Sequence, residues 1–592
     1  MKRLLHIGCY LLIFGYLQAQ PDTIVIGFGG YDGVTVSTSS GDSGSGEETV
    51  NLDGFLPNEN AASRFLSQAT LGYDMQDITT VTAMGLEDWI DEQLGMPISF
   101  SLKDKAEEYR AFSDANNPDD VGTNGRHWRY AWWQYHMSSD DVLRQRVALA
   151  LSEILVISEN SPFRNNGHTM ADYYDILLEH SFGNYRDLLQ DVTYHPAMGI
   201  YLTYLNNPKT DTTENRFPDE NYAREVMQLF SIGTTKLNMD GTEVLDAQGV
   251  PMNTYNNTDI QEFSKVFTGL TWWNRDNFFR GALNLDSWLQ PMVMWNDYHE
   301  PGEKYLLDGY VVPDRDPIDG DADISDALDN IFDHSNVPPF VSKLLIQRLV
   351  TANPSPAFVE RIANVFVDNG NGVRGDISAV VKAILLDEEA KACESSEDFT
   401  YGGLREPFIR YMQINKAFVS GTASGNYRND MRHVYDNTGQ RPLASPSVFN
   451  FFQQDFTPIG PIEQQGLVAP VFQITDAQSI TGYINGLYRW VISGDIADEY
   501  DIYSGEVDST YAGEVSRLDL SEEILYTNDD ELHILLDRLN LLLAGGRVTE
   551  PSLDIIKNVV RQFPNEDEDD KEDRVQLAIY LLLTAPEYLI NR

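Results

Sequence analysis

The chain reads as mainly α: a large helical bundle-like domain with a small β insertion and a short N-terminal β appendage. Three observations predict this. From Asn60 onward, apolar residues recur every three to four positions in segment after segment. Glycine, proline and acidic residues punctuate those segments where helices start and stop. One segment, RQRVALALSEILVI (144–157), is apolar all round, which places a helix at the centre of a bundle. With 592 residues, 42% of them hydrophobic, there is enough apolar material for a large core.

Taken in order, residues 1–19 read as a secretory signal: Lys2 and Arg3, an apolar run from Leu4 to Leu17, then Ala19 as cleavage site. The run is short for a membrane span, and no later stretch has 18 consecutive apolar residues. Residues 20–55 combine a strand, turn, strand unit (DTIVIGFGGYDGVTVST, 22–38) with the Gly/Ser linker SSGDSGSGEET (39–49). The glycines of GFGG do not fit G-x-G-x-x-G, so no dinucleotide site is read there. Residues 56–592 form the helical domain. Helices are expected at 61–72, 85–95, 128–157 (one long helix or two in succession), 169–182, 184–193, 219–232 and 258–267. They resume at 324–334, 338–351, 355–367, 376–387, 405–418, 530–544, 551–562 and 573–585. Between about 235 and 315 the period breaks, and Asp240-Gly241 between extended arms signals a hairpin. Residues 420–480, rich in Pro, Asn and Phe, are expected to be irregular.

Composition excludes whole classes of partner. There are 91 acidic against 42 basic residues, a formal net charge of −49, so nucleic acids and anionic membranes are repelled. Without the leader, Cys393 is the only cysteine, and no intramolecular disulfide can form. There is no C-x-x-C, Walker loop, G-x-S-x-G or H-E-x-x-H. The acidic loops DRDPIDGDAD (314–323) and FVDNGNGVRGD (366–376) both miss the calcium-loop spacing. They read as solvated turns, with an irregular divalent cation site such as calcium left open as cofactor.

The embedded charges carry more information. In FPDENYAREVMQLFSIG (217–233), Pro218 suits a first helical position, Asp219 and Glu220 a first turn, and Gly233 a left-handed stop. Glu225 then projects at the edge of the stripe Tyr222, Val226, Leu229 and Phe230, with Asn221 one turn before it. A carboxylate there needs a cation, donors or a proton. Glu153 lies two turns after Arg146 inside the all-apolar run, so the two are expected to pair. A structural ion pair with a buried arginine is the bland reading of both glutamates. The sharper reading groups Glu225, Asn221, Arg224 and His299 as a catalytic set. Of the histidines, His180, His195 and His334 are weaker candidates, and His195 is expected to cap helix carbonyls. Trp128, Tyr130, Trp132, Trp133 and Tyr135 read as core, with a sugar-stacking platform as the alternative.

AASRFLSQATLG, LRQRVALALSEILVIS, YRDLLQDVTYHPAMGIYL, PDENYAREVMQLFSIG, FVSKLLIQRLVTANPSP, GVRGDISAVVKAILLDEEA, LREPFIR and SPSVFNFF follow one another along the chain. In these segments, over roughly residues 58–592, the sequence resembles the bacterial domain of unknown function 1800 family. The resemblance implies a large, mainly helical, exported protein. It also implies a neighbour that looks like alkaline phosphatases and sulfatases, because the genes often lie together. It brings no activity and no catalytic residues. The expectation is therefore an exported accessory or scaffold protein, periplasmic or extracellular, that binds a phosphatase/sulfatase-like partner and inserts in no membrane after leader removal. The alternatives are a metal-assisted hydrolase acting on an extracellular polymer and a carbohydrate-binding protein.

Overall fold

Short polar side chains cut this chain into helices by capping them. Asn58 accepts the N–H of Ala61 to open the helix Glu59–Ala69. Asp74 and Asp77 close a reciprocal capping box on Met75–Met84, and Asn256 and Asp259 do the same on Asn257–Val266. Ser355, Asp376 and Asp567 cap later helices in the same way. The computed structural model describes residues 48–51, 54–116, 125–161, 166–391, 400–418, 421–492, 495–496, 512–514 and 516–591. The leader, the 22–38 unit, most of the expected linker and Cys393 lie outside them.

The fold is mainly α. Its centre is the helix Val142–Ser152, in which every residue from Leu143 to Ser152 is buried. The helices Glu59–Ala69, Leu86–Gly95, Gly167–His180 and Val337–Leu349 pack around it. One continuous apolar core runs from Ala62 to Tyr588. A helix apolar on all sides has no solvent face to offer, so charges within it must find partners inside the protein.

The strands are short antiparallel pairs. Glu48–Asn51 pairs with Gly54–Pro57, so the N-terminal hairpin begins where the linker was expected to end. Leu270–Thr271 pairs with Val293–Met294, and Lys304–Tyr305 with Val311–Val312. Around the Asp240-Gly241 turn, Leu237 faces Glu243, while Thr235 faces Asn253 as the chain returns. One pair joins distant sequence: Gly403–Leu404 binds Ile590–Asn591, bringing the C-terminal residues beside the centre of the molecule.

Some local expectations are corrected. The helix expected at 219–232 is Asn221–Gln228. Asp219 holds the entry open, its carboxylate accepting from Asn221 N–H (2.9 Å) and its own N–H donating to Asn207 Oδ1 (3.0 Å). At the far end the N–H groups of Ile232 and Gly233 both return to the Met227 carbonyl, so the helix unwinds before Gly233. The helices Met75–Met84 and Leu102–Asn116 had been passed over, and Arg432–Thr438 and Ala477–Leu487 stand in or beside the segment expected to be irregular. Among the described residues no helix is long and apolar enough to cross a membrane.

Candidate functional site

The two anomalous glutamates have opposite fates. Glu225 is 6% exposed and its Oε2 has no hydrogen-bond partner. The expected buried arginine is not there. Arg224, the one charged group acting on it, is 40% exposed and lies 3.3 Å from Glu220. Burial raises the Glu225 pKa and Arg224 offsets this only in part.

His299 is not gathered to Glu225. Its Nδ1–H donates to the Thr268 carbonyl (2.8 Å), and its Nε2 faces Asp323 Oδ2 (3.0 Å). Lys304 and Arg315 close on the same carboxylate, and Arg315 also binds Asp326 at 2.6 Å. This is a filled ionic knot that ties the insertion to the helix Gly320–Asp333. The other histidines are dispersed. His180 binds Asp191 (2.6 Å) and His334 accepts the Asn336 N–H. His195 caps an N–H, not carbonyls: its Nδ1 accepts from Ala197 N–H, and its Nε2–H faces Asp172 at 3.3 Å. Trp128, Tyr130, Trp132, Trp133 and Tyr135 are all buried, so they offer no stacking platform. In the acidic loops the carboxylates serve the chain itself, as where Asp368 accepts the Gly370 and Gly372 N–H groups at 2.8 Å. Among the described residues no three His, Cys, Asp or Glu side chains gather as metal ligands.

Glu153, by contrast, leads to a built site. Its ion-pair partner is not Arg146 on its own helix but Arg348 on the helix Val337–Leu349, with Nε 3.3 Å from Oε2. Arg348 Nη2 donates to the Glu153 carbonyl (2.8 Å), and Arg146 Nη2 donates to the Arg348 carbonyl. The two helices are thus cross-tied by guanidiniums. From a third direction come Arg405 and Glu406, fixed where the Gly403–Leu404 strand meets the C-terminal residues. Arg405 N–H donates to the Leu589 carbonyl (2.8 Å), and its guanidinium lies 4.9 Å from the centre of the Tyr588 ring. Glu406 accepts from Gln440 Nε2 and touches Glu153 side chain to side chain. Two carboxyls in hydrogen-bond contact require a proton on one of them. Burial first, then Glu406, pushes the Glu153 pKa well above the usual glutamate value.

Arg146, Arg348 and Arg405 line one cavity of about 590 Å³, mouth included. They are 3%, 8% and 7% exposed. Of these side chains and that of Gln454, which also lines the cavity, Arg146 Nε and Nη1, Arg348 Nη1, Arg405 Nη2 and Gln454 Nε2 are buried without a hydrogen-bond partner. Burial lowers the pKa of Arg146 and Arg348, but guanidiniums start so high that both keep their charge. Half-buried Ser67, Gln347 and Asn591 form the rim, and Ile409 and Phe452 an apolar wall. Glu153 itself lines a neighbouring cavity of about 280 Å³, so the carboxyl pair stands where the two adjoin. Donors buried without acceptors are costly, and an arrangement that keeps several around one space is suited to an anion.

Sequence reasoning found Glu153 and Arg146 but missed Arg348, Arg405 and Glu406. Arg348 had a signal of its own, being flanked by Leu345, Ile346 and Leu349. Arg405 and Glu406 had none, because only the pairing of Gly403–Leu404 with the distant C-terminus brings them in.

Neither a curated protein nor a solved structure matches the chain. A family model does match, and it takes in all of the residues that form the cavity except Asn591. Over residues 64–590 the chain belongs to the family described as protein of unknown function (DUF1800).

Proposed function

We propose that this is an exported accessory protein that works by binding, and that its binding site is the arginine-lined cavity, which takes an anionic group. One observation carries the reading: three arginines, each more than nine-tenths buried and each with unpartnered N–H donors, line a single cavity. Arginine forks recognise planar and tetrahedral oxyanions through paired hydrogen bonds, and a water-poor cavity strengthens each of them. The surface elsewhere is strongly acidic, with a net charge of −49 for the whole chain, so a buried cationic pocket is the exception that selects its ligand. The partner in this proposal is a phosphatase/sulfatase-like protein in the periplasm or outside the cell, whose reactions handle such anions.

Calorimetric titration of the mature protein with acetate, sulfate and phosphate tests the site. At least one anion binds the wild type, and Arg405→Met abolishes it. Capture of partners from native extracts tests the second half, where recovery of no phosphatase- or sulfatase-like protein removes that partner.

A further inference from the structure

We propose that the cavity takes a tetrahedral dianion, the group shared by free sulfate, free phosphate and phosphate monoesters, and binds it while Glu153 and Glu406 hold one proton between them. This rests on the reading of the cavity as an anion site and specifies its ligand.

The donor count comes first. Four side chains lining the cavity carry five buried nitrogens with neither a hydrogen bond nor an ion pair, and they come from the helix Val142–Ser152, the helix Val337–Leu349, the Gly403–Leu404 edge and the loop at Gln454. A planar carboxylate presents its two oxygens in one plane and suits one fork. A tetrahedral oxyanion presents oxygens in several directions and suits donors converging from several elements.

The charge balance points the same way. Three arginines line the cavity together with Glu406, and a single proton shared with Glu153 leaves that carboxyl pair with one negative charge. Two positive charges remain uncompensated, which match a dianion. The groups facing the pair are Arg146 from its own helix, Arg348 from the next, and Tyr174 from the helix Gly167–His180, while Arg405 lines the same cavity with its guanidinium over the Tyr588 ring. Gln440 and Arg441 face it from the other cavity, and Arg441 is held by Glu159. None of these supplies a further negative charge, because burial keeps the Tyr174 hydroxyl protonated.

The test is calorimetric titration of the mature wild-type protein at pH 7 with sodium sulfate, phosphate, phenyl phosphate and acetate, at ionic strength fixed by sodium chloride. Sulfate carries no titratable proton near neutrality, so it isolates the protein's own proton. Sulfate is expected to bind one per chain and at least about tenfold tighter than acetate. Phenyl phosphate binding tighter than phosphate identifies an ester as the ligand, and the reverse identifies the free ion. Glu153→Gln, which imitates the protonated pair, is expected to bind sulfate within about threefold of wild type. Glu406→Gln does the same if Glu153→Gln does not fold.

If no anion binds, the reading of the cavity itself falls. If acetate binds as tightly as sulfate, the anion site stands and the dianion does not. If both Gln variants bind sulfate about tenfold tighter or more, both carboxylates were ionised in the complex and the shared proton is wrong.

Discussion

Replacing either member of the Glu153–Arg348 pair should not cost the same. The side chains are 5% and 4% exposed, so deleting one ordinarily leaves a buried charge without its partner. Arg348→Met removes the 3.3 Å ionic contact and the 2.8 Å charged hydrogen bond to the Glu153 carbonyl. By analogy with other buried pairs this costs about 3–5 kcal/mol. Glu153→Gln is different, because a shared proton already makes the pair resemble an amide beside a carboxylate. The Gln nitrogen donates to Glu406 where the acid proton did, and its oxygen still faces Arg348 Nε. Only the charge assistance is lost, about 1 kcal/mol or less. Urea unfolding at pH 7, followed by far-ultraviolet circular dichroism with both variants beside the wild type, measures the difference. A Glu153→Gln loss as large as that of Arg348→Met would refute the shared proton and make Glu153 an ordinary ionised partner.

Further predictions concern sites away from the cavity. Burial raises the Glu225 pKa, so the native state disfavours its ionised form more than the unfolded chain does. Its burial penalty is absent below the usual glutamate pKa and grows as pH rises above it. Glu225→Gln should therefore match wild type at pH 4 and gain on the order of 1 kcal/mol at pH 8, read by urea unfolding at the two pH values. In the ionic knot, burial works against the charge of Asp323, but His299 and Lys304 outweigh it and hold the carboxyl below the usual aspartate range. Its contribution is thus complete above the ordinary aspartate pKa and lost as pH falls through the lower folded value. Asp323→Asn strands Lys304, only 1% exposed, and should cost about 3–5 kcal/mol by the same assay at neutral pH. Gly233→Ala combines a φ of +68° with a Cβ 2.7 Å from the Phe340 ring, and should cost about 2 kcal/mol or more.

Much of the helical architecture was legible because burial writes itself into apolar spacing. The run from Arg144 to Ile157 announced a central helix, and it is one up to Ser152. What escaped were helices whose buried stripe is narrow. In Leu102–Asn116 only Leu102, Ala106, Tyr109 and Ser113 are buried, and charged residues fill most of the rest. The helix at Asn221 was drawn too long because Pro218 and Gly233 are punctuation marks that here serve the flanking turns. For the site, an anomalous charge in a stripe was a sound signal that a partner exists, but it did not say which. Glu153 takes Arg348 from another helix over the nearer Arg146. Glu225 takes no buried arginine, and His299 closes on Asp323 of the helix Gly320–Asp333. Pairing between elements depends on how they pack, and spacing along one helix does not hold that information.

The most direct measurement is equilibrium dialysis of the protein against radiolabelled sulfate at ionic strength fixed by sodium chloride, for wild type, Arg405→Met and Gln454→Leu. Gln454 is a half-buried cavity residue whose side chain can be replaced at nearly constant shape, so it guards against loss of folding in the arginine variant. The account predicts one sulfate per wild-type chain, none for Arg405→Met, and weakened binding for Gln454→Leu. No bound sulfate in wild type, or binding left intact by both substitutions, would contradict it.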